Sequence, residues 1–328
     1  MKKIRIAFMS PEWKGWPYFI YKDFVDWLKN KYPNRFDIYF YNSKKDWLKL
    51  HFAKYDFIFS IIPFLFKPIW TKNFYISIYW NYNIEKKKNK LGNKLLYLMK
   101  FNINFADKIL LSNLFLVNKI DFLKKYKDKF FILSNPIDTK LYNLKSKGFQ
   151  KNILNDSINI LTVSSTKFFE KWMWLVDLAN QIKNIDNINI TWTIIAWWND
   201  EFTYKIQKEF YKNTFPSNIK IIWLWWLSKE DLDNYYKSSD IFIYWTRLEV
   251  WGQTIMEAMA HWLPIILLDY EWWKYTYPEE IITDNIKTSL EKVIYDYEFY
   301  SKIWINFIKQ YDKDFIIDEL YNFILKNK

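Results

Sequence analysis

Two hydrophobic patterns alternate along the chain. Short runs rich in β-branched and aromatic residues are separated by amphipathic segments of helical length, which is typical of parallel α/β sheets. In the first half the pattern predicts strands at Ile4–Met9, Phe36–Tyr41, Phe57–Ser60, Phe74–Tyr79, Ile109–Leu111 and Phe130–Leu133. It predicts helices at Tyr18–Asn30, Lys90–Phe105 and Leu114–Lys127.

A polar segment from Ser134 to Ser157 interrupts this alternation, and its Pro136 and Gly148 are typical of a linker. The alternation then restarts. Strands are predicted at Ile158–Val163, Ile190–Ala196, Ile219–Ile222, Ile241–Tyr244 and Ile265–Leu268, and helices at Lys171–Lys183, Glu201–Tyr211, Lys229–Tyr236 and Thr254–Ala260. The tail from Ile286 to Lys328 has a helical pattern throughout.

The repeated alternation predicts an α/β protein of two doubly wound, Rossmann-like domains with a cleft between them. The chain of 328 residues has room for two domains of about 150 residues each. We place the first domain at residues 1–148 and the second at residues 149–300, and we expect the C-terminal helices of residues 301–328 to pack back on the first domain. Because ligands of open α/β sheets lie beyond the carboxyl ends of the strands, both domains should face the cleft.

The composition excludes several kinds of site. The chain has no cysteine, so it forms neither a disulfide nor a thiolate metal site, and its two histidines argue against a histidine-rich metal centre. The apolar run before Ser10 is too short for a signal peptide. The longest apolar stretch, Phe57–Phe66, is about half a membrane span. We therefore expect a cytoplasmic protein.

The net charge of +12 has two explanations. It could attract the chain to an anionic membrane surface or to nucleic acid. It could also follow from a general abundance of Lys, Asn, Ile, Phe and Tyr, as AT-rich codons would produce. The lysines are spread along the chain and the run Lys86–Lys88 is short. We favour the second explanation, expect no nucleic-acid partner, and keep peripheral contact with an anionic membrane as an expectation.

The tryptophan content is anomalous. The chain contains 20 tryptophans and only 4 glycines, whereas a glycine content of about 7% predicts roughly 23 glycines. The two counts together match that expectation. Tryptophan also occurs in pairs where turns favour glycine, at residues 197–198, 225–226 and 272–273. A bulky residue does not readily adopt the positive φ of such turns.

We therefore predict that many of these tryptophans are UGA codons that the source organism reads as glycine. The candidate positions are Trp13, Trp16, Trp80, Trp172, Trp174, Trp197, Trp198, Trp223, Trp225, Trp226, Trp245, Trp251, Trp262, Trp272, Trp273 and Trp304. The candidates for genuine tryptophan are Trp27, Trp47, Trp70 and Trp192. The alternative is a tryptophan-rich binding surface.

The segment from Ser239 to Asp269 carries the most informative chemistry. A predicted strand ends at Tyr244, a loop follows, and a helix begins near Thr254. Such a helix N-terminus offers free N–H groups and a positive dipole end to a phosphate. Glu249 in the loop and Glu257 in the first helical turn would repel that phosphate unless they accept hydrogen bonds from sugar or ribose hydroxyls. Alternatively, one glutamate favours the helix dipole and the other is solvated.

With tryptophan read as glycine, that segment resembles the signature region of the family-4 glycosyltransferases, with its loop glutamate, glycine pair and EAMA-x-G-x-P sequence. Other segments resemble the family in the same order. Ser10–Phe19 is similar to its N-terminal glycine loop, Asn135–Asp138 to the end of its first domain, Glu170–Leu175 to its EKG turn and Ile194–Asp200 to its nucleotide-proximal loop. The resemblance spans about residues 4–275.

The resemblance implies a GT-B fold with an N-terminal acceptor domain and a C-terminal nucleotide-sugar donor domain. It implies a retaining hexosyltransferase that requires neither metal nor cofactor. The donor would be a nucleoside-diphosphate sugar, and the acceptor a glycan or lipid-linked molecule in cell-envelope polysaccharide synthesis.

The resemblance also implies roles for residues of the second domain. Glu257 would bind the donor ribose. Glu249 would bind the transferred sugar and Lys171 the diphosphate, and these two are the candidate catalytic residues. Backbone groups of Thr254 and Ile255 would hold the diphosphate at the helix N-terminus.

Gly15 and Trp16, the latter read as glycine, would line the junction of donor and acceptor. Other positions match the family less closely. Thr166 stands where the family usually has arginine, and the neighbouring Lys167 is expected to take its place, although lysine lacks the bidentate fork of arginine. The histidine of the family's first domain has no counterpart near residues 79–82.

Two alternative functions remain open. A nucleotide-sugar epimerase shares the two-domain architecture, but it needs an acid/base set, and the chain is poor in histidine. A donor-binding protein without activity would explain Thr166 and the missing histidine.

Three further features have a structural interpretation. His261 is expected to cap the C-terminus of its helix. Asp231 and Asp233 follow Ser228 in a helix N-capping pattern and are interpreted as surface residues, not as metal ligands. The aromatic residues within Phe64–Trp70 are expected to pack in the core, with an exposed lip for a lipid-linked acceptor as the alternative.

Overall fold

The computed structural model describes residues 2–10, 16–42, 44–64, 66–78, 90–113, 116–117, 120–140, 157–165, 169–197, 207–225, 227–245, 252–269 and 273–328. The chain divides into two compact units. Residues 1–136 and 311–328 form the first unit, and residues 137–310 form the second. The predicted domain boundaries lie nearby, after residues 148 and 300.

Each unit contains one parallel sheet. The strands of the first are β1 (Ile4–Met9), β2 (Phe36–Tyr41), β3 (Phe57–Ser60), β4 (Asn73–Ile78), β5 (Lys108–Leu111) and β6 (Phe130–Ile132). Those of the second are β7 (Ser157–Ser165), β8 (Asn189–Trp197), β9 (Ile219–Leu224), β10 (Ile241–Tyr244), β11 (Ile265–Leu268) and β12 (Ile282–Thr283). The strand orders are β2-β1-β3-β4-β5-β6 and β12-β11-β10-β7-β8-β9. In both sheets the chain leaves its first strand on one side and later returns to the other, which is the doubly wound topology.

The helices connect the strands and form the C-terminal tail. They are α1 (Trp16–Lys31), α2 (Lys44–Phe52), α3 (Lys90–Phe105), α4 (Phe169–Ile182), α5 (Lys229–Ser238), α6 (Gln253–Ala260), α7 (Ile286–Tyr295), α8 (Tyr297–Lys309) and α9 (Lys313–Lys326). Short 3-10 segments occur at Asp121–Lys129, Trp273–Tyr275 and Glu279–Ile281. Within the described ranges, no helix combines the length and the apolar character needed to span a bilayer.

The core of the first unit forms between its sheet and the helices α1 and α9. Alternate residues of a strand share one face, and on this face Ile6 and Phe59 pack with Phe24 of α1. Helix α9 adds Leu320 and Ile324 to the same core. The end of the chain therefore completes the unit with which the chain begins.

The core of the second unit forms between its sheet and the helices α4 and α7. Ile160 of β7 and Ile194 of β8 pack with Leu178 of α4 and Leu290 of α7. Helix α6 is absent from this group of residues and instead packs against α8.

Most elements match the prediction, and the exceptions are short or irregular. The predicted strands agree with the structure to within two residues at either end. The sequence does not predict α2 or β12. Of the helix predicted at Leu114–Lys127, residues 116–117 are helical and residues 114–115 and 118–119 lie outside the described residues. Its second half is the 3-10 segment Asp121–Lys129, in which Tyr126 leaves the helical conformation. The helical tail consists of α7, α8 and α9.

Candidate active site

The direction in which the chain adds strands to the second sheet reverses between β7 and β10. From β7 the chain continues through α4 to β8 on one side, whereas from β10 it continues through α6 to β11 on the other side. The helices α4 and α6 therefore begin beyond the carboxyl ends of two neighbouring strands. In open α/β sheets such a switch point is where ligands bind.

Gly252 is the N-cap of helix α6 and provides no side-chain cap. A Cβ at Gly252 would lie 2.3 Å from Cδ1 of Ile255, so a larger residue would displace that side chain. The carbonyl oxygen of Gly252 accepts hydrogen bonds from the N–H of Ile255 at 3.0 Å and of Met256 at 3.1 Å. The N–H groups of Gln253 and Thr254 come before the first of these bonds and have no backbone acceptor among the described residues. Such N–H groups at a helix N-terminus can bind an anion.

Thr254 and Ile255 are the two residues of α6 whose N–H groups are predicted to bind the diphosphate. The N–H of Thr254 has no hydrogen-bond acceptor earlier in the helix. The N–H of Ile255 already donates to Gly252. The helix tip thus offers its anion-binding groups one residue earlier than the sequence indicates.

Glu257 lies on the accessible strip of α6. It belongs to the second turn, not the predicted first turn, because the helix begins at Gln253. The side chains of Gln253, Thr254 and Glu257 are half-buried and share one face of the helix, whereas those that follow Thr254 and flank Glu257 are buried. Glu257 therefore lies on the same face of α6 as the residues at its tip.

The carboxylate of Glu257 contacts α5. The hydroxyl of the buried Tyr236 lies 3.2 Å from Oε2 of Glu257 and 3.3 Å from the carbonyl oxygen of Thr254. Burial raises the pKa of Glu257 to about 7, although the hydrogen bond from Tyr236, the charge of Lys229 and a hydrogen bond from Gln253 act in the opposite direction. Near neutral pH the acid and the carboxylate are therefore both populated.

His261 is the C-cap of α6, as predicted, and it also binds α5. Its Nδ1 lies 2.7 Å from the carbonyl oxygen of Glu257 and its Nε2 lies 2.6 Å from Oδ1 of Asp233. Both partners can accept a hydrogen bond, so the imidazole ring links α5 to the end of α6. The imidazole ring stacks on Tyr236 with a centroid distance of 4.8 Å.

Asp233 is therefore more than a surface residue of α5. Its other carboxylate oxygen pairs with Lys237. Burial raises the pKa of Asp233, but the hydrogen bonds with Lys237 and His261 outweigh that effect and hold the pKa below its usual value. Asp233 thus remains an acceptor for His261 at neutral pH.

The residue after this cap has a backbone conformation that tryptophan disfavours. Trp262 has a φ of 64°, the single positive value among the described residues other than glycine. Its N–H donates to the carbonyl of Met259 at 2.9 Å, and the N–H of Leu263 donates to the carbonyl of Ala258 at 3.2 Å. These bonds form a Schellman motif, in which the left-handed residue is usually glycine.

The other residues predicted to bind the nucleotide-sugar donor lie near the same switch point or outside the described ranges. Lys171 is the third residue of α4, just beyond the carboxyl end of β7. Its backbone and the tip of α6 therefore follow adjacent strands. Thr166, Lys167 and Glu249 lie outside the described residues.

The first unit has a switch point of its own between β1 and β3. Trp16 is the first residue of α1, which follows β1, so it lies at that switch point. Gly15 and residues 79–82 are outside the described residues. The predicted first-domain residue that the structure describes is thus at the edge of the sheet where α/β proteins bind ligands.

The sequence does not predict the partners of Glu257. Lys229, Asp233 and Tyr236 are spaced four and three residues apart on α5, so they share one face. That spacing could have identified the face, but not the helix that it contacts. Among the described residues, no group of three or more acidic or histidine side chains is placed to hold a metal ion.

Residues 170–290 match the family model described as Glycosyl transferases group 1. This range contains Lys171, Glu249 and Glu257, together with the whole of α5 and α6. No curated protein matches the chain.

Several solved structures have a similar fold. The HepE protein of Anabaena in complex with UDP-glucose has a TM-score of 0.67 and 12% identity, covering 98% of this chain and 100% of that one. The lipopolysaccharide outer core galactosyltransferase WaaB in its apo form has a TM-score of 0.69 and 14% identity, covering 99% and 100%. Sucrose-phosphate synthase from Thermosynechococcus elongatus has a TM-score of 0.70 and 11% identity, covering 99% and 100%. The prediction of a GT-B fold built from two Rossmann-like α/β domains is confirmed.

Proposed function

We propose that the chain is a retaining glycosyltransferase that uses a nucleoside-diphosphate sugar carrying a hexose-type sugar. The observation that carries this proposal is the switch point between β7 and β10, where the uncapped tip of α6 lies one turn from the carboxylate of Glu257. An anion-binding helix tip beside a hydroxyl acceptor suits a ligand that is part phosphate and part polyol. The Glycosyl transferases group 1 match over these residues supports it, as does UDP-glucose in HepE.

Each predicted site residue has a role in this proposal. Glu257 accepts hydrogen bonds from the ribose hydroxyls, and Glu249 does so from the transferred sugar. Lys171 and the amides of Gln253 and Thr254 hold the diphosphate, while the N–H of Ile255 donates to Gly252. Lys167 and Thr166 contact the donor beside Lys171, and Gly15 and Trp16 line the junction with the acceptor.

The reaction exchanges one bond at the anomeric carbon. The bond to the diphosphate oxygen breaks, and the bond to the acceptor oxygen forms on the same face of the sugar. The proton of the acceptor hydroxyl passes to the leaving phosphate. Lys171 and the positive end of the α6 dipole stabilise the charge that develops on the diphosphate, so the reaction requires neither a metal ion nor a cofactor.

The acceptor that we propose is a glycan or a lipid-linked molecule of cell-envelope polysaccharide synthesis, and the reaction would take place in the cytoplasm. Some support comes from the first unit, where large apolar side chains are exposed on α2 and on the segment after β3: Leu48, Phe52, Phe66, Ile69 and Trp70. We call these five residues the α2 patch. The ring of Phe66 lies 4.1 Å from the buried His51 of α2, so the two segments adjoin.

The α2 patch has exposed lysines beside it in the chain, at Lys49, Lys54 and Lys72. Aromatic and aliphatic side chains beside basic residues are typical of protein surfaces that lie at an anionic lipid interface. We therefore propose peripheral contact of the first unit with such a membrane. Phe64 is fully buried, so only the later part of the predicted lip at residues 64–70 belongs to this surface.

A panel of labelled nucleoside-diphosphate sugars, incubated with glycan and lipid-linked acceptors, tests the enzymatic proposal. We expect transfer of the label with retention of the anomeric configuration, unchanged by EDTA. Epimer formation without transfer would favour the epimerase, and binding without turnover would favour a donor-binding protein. Glu257→Ala is expected to abolish donor binding, whereas Glu291→Ala, at an exposed position on α7, is expected to preserve it.

We also propose that the source organism reads UGA as glycine at many tryptophan positions. The left-handed φ of Trp262 supports this. The buried Nε1 of Trp304 has no hydrogen-bond partner among the described residues. Trp245 is a counterexample, since its Nε1 donates to Asp177 at 2.7 Å. UGG codons at the candidate positions would contradict the proposal, and the donor panel is best run on both the tryptophan and the glycine forms of the chain.

A further inference from the structure

The contacts between α5 and α6 assign a role to a residue outside the predicted site. We propose that Tyr236 is a positioning residue for the carboxylate of Glu257, and that the Asp233–His261 pair holds the ring of Tyr236 in place. This inference rests on the proposed role of Glu257 as the acceptor for ribose hydroxyls. It names the group that orients that acceptor.

The ring of Tyr236 is fixed by packing. Tyr236 is 1% exposed. One neighbour of its ring is the imidazole of His261, at a centroid distance of 4.8 Å, and another is Phe242 of β10, at 6.0 Å. Packing of this kind confines the ring, so the phenolic oxygen has a defined position.

That position serves both parts of the candidate donor site. The Tyr236 hydroxyl lies 3.2 Å from the carboxylate of Glu257 and 3.3 Å from the carbonyl oxygen of Thr254. One hydroxyl on α5 therefore contacts the predicted ribose acceptor and the turn that offers its amide to the diphosphate. A shift of Tyr236 would disturb both.

The Asp233–His261 pair connects the two helices behind this contact. The side chain of His261 is 1% exposed, and it bridges Asp233 of α5 and the carbonyl oxygen of Glu257 in α6. Asp233 and Tyr236 are three residues apart on the same face of α5. The pair therefore sets the distance between the helix that carries Tyr236 and the helix that carries Glu257.

The groups that face the Glu257 carboxyl are Tyr236 and Lys229 from α5 and Gln253 from α6 itself. Each favours the ionised form, against the burial that favours the neutral acid. Removal of the Tyr236 hydroxyl therefore has two consequences. It frees the carboxylate to adopt other rotamers. It also lowers the fraction of Glu257 that is ionised at neutral pH and can accept hydrogen bonds from the ribose hydroxyls.

The test compares Tyr236→Phe with Tyr297→Phe by calorimetric titration of UDP, ADP and GDP from about pH 6 to about pH 9, a range that covers the titration of Glu257. Tyr297 is a matched control in the same unit, since its hydroxyl donates to the carbonyl of Asp240 at 2.8 Å and has no contact with Glu257 among the described hydrogen bonds. For whichever nucleotide the wild type binds, we expect its affinity to increase with pH. Tyr236→Phe should weaken it about five- to tenfold at neutral pH, as loss of one ordinary hydrogen bond does.

The midpoint of the pH profile should also move to higher pH in Tyr236→Phe and stay in place in Tyr297→Phe. Asp233→Asn should weaken binding in the same direction as Tyr236→Phe. Thermal unfolding of each variant shows whether it is folded. If the wild type binds a nucleotide and Tyr236→Phe binds it with the same affinity and the same pH midpoint, this inference alone is overturned. Failure of the wild type to bind any of the three nucleotides would overturn the proposed function and the inference with it.

Discussion

Trp262 holds a left-handed backbone at the end of α6, where glycine would be free of strain. The Cβ of an L-residue in this conformation costs about 1–2 kcal/mol. A domain is stable by only about 5–15 kcal/mol, so a chain that repeated this cost at several turns would lose much of its stability. At the residue scale, the backbone conformation at position 262 therefore favours glycine over tryptophan.

Trp262→Gly is expected to raise the free energy of unfolding by about 1 kcal/mol, because it relieves this strain. Trp192→Gly is the matched control. Trp192 is fully buried in β8 and its Nε1 donates to Oγ1 of Thr162 at 3.0 Å, so its loss should cost at least about 3–5 kcal/mol. Denaturant unfolding measures both. Equal destabilisation by the two substitutions would argue against recoding at residue 262.

Glu257 should make the stability of the chain depend on pH. Its pKa in the folded state is about 7, above the usual 4.5, so the folded state binds the proton more tightly than the unfolded state does. The resulting stabilisation is fully present below pH 4.5 and is lost as the pH rises to about 7. Each pKa unit corresponds to about 1.4 kcal/mol, so the loss is on the order of 2 kcal/mol for a half-buried group.

Glu257→Gln removes the titrating group and should abolish this part of the pH dependence. The free energies of unfolding of the wild type and the variant, measured at about pH 4 and about pH 8, give the difference directly, since these values bracket the titration. The variant should gain stability relative to the wild type at the higher pH. An identical pH dependence in both proteins would show that Glu257 titrates normally.

At the scale of elements, α5 acts on the site as a unit because one of its faces carries Lys229, Asp233 and Tyr236. Its first turn depends on Ser228. The Oγ of Ser228 accepts a hydrogen bond from the N–H of Asp231 at 3.0 Å, and it donates to Oδ2 of the same residue at 2.6 Å. The predicted N-capping pattern is thus confirmed, and it stabilises the first turn of α5, the helix that contacts the Glu257 side chain.

Ser228→Ala should cost about 1 kcal/mol of stability, the usual cost of a lost N-cap. It should also weaken nucleotide binding, because fraying displaces Lys229 from the vicinity of Glu257. Asn285→Ala is the matched control, since Asn285 caps α7 by accepting from the N–H of Thr288 at 3.1 Å. That variant should lose similar stability and keep its affinity. Parallel unfolding and binding measurements separate the two effects, and unchanged affinity in Ser228→Ala would remove α5 from the site.

Elements with a continuous apolar signal could be predicted from the sequence, and irregular ones could not. The strands β10 and β11 are buried at every position and occur as uninterrupted apolar runs. Among the described side chains of α2, only Leu50 and His51 are buried, so the amphipathic pattern is weak. In the segment predicted as a helix at 114–127, Leu116 and Leu123 have helical spacing and are buried, yet Tyr126 departs from the helix.

The same distinction applies to the candidate site. The tip of α6 and Glu257 could be predicted because a strand, a loop and a helix N-terminus are contiguous in the chain. The contact of Glu257 with Tyr236 joins residues 21 positions apart, and that of His261 with Asp233 joins residues 28 positions apart. Both depend on how α5 packs against α6. A single sequence specifies the faces of two helices but not their mutual orientation.

At the scale of the whole molecule, the chain starts and ends in the same unit. Helix α9 adds Leu320 to the core of the first sheet, and its Asp318 pairs with Lys31 of α1 at 2.7 Å. The helical pattern of the tail could be predicted locally. Packing of the tail on the first domain is expected for residues 301–328, but only residues 311–328 belong to the first unit. The local pattern does not encode that division, because the core is built from residues more than two hundred positions earlier.

The net charge of +12 also belongs to this scale, since under the proposed membrane contact it would attract the whole molecule to anionic surfaces. We expect the protein to cosediment with vesicles that contain anionic phosphatidylglycerol and to bind neutral phosphatidylcholine vesicles more weakly. Binding should decrease as salt increases, since screening removes the attraction of the lysines. The apolar side chains of the α2 patch should supply the part of the binding that salt does not remove.

The double variant Phe52→Ala and Trp70→Ala therefore should reduce vesicle binding severalfold at high salt. These side chains are 64% and 58% exposed, so their loss leaves the core intact. Tyr295→Ala is the control, because Tyr295 is 93% exposed in the second unit and lies outside the α2 patch. Its loss should leave vesicle binding unchanged. If both variants bound vesicles as the wild type does, the lysines alone would account for the attraction, and the α2 patch would have no role at the membrane.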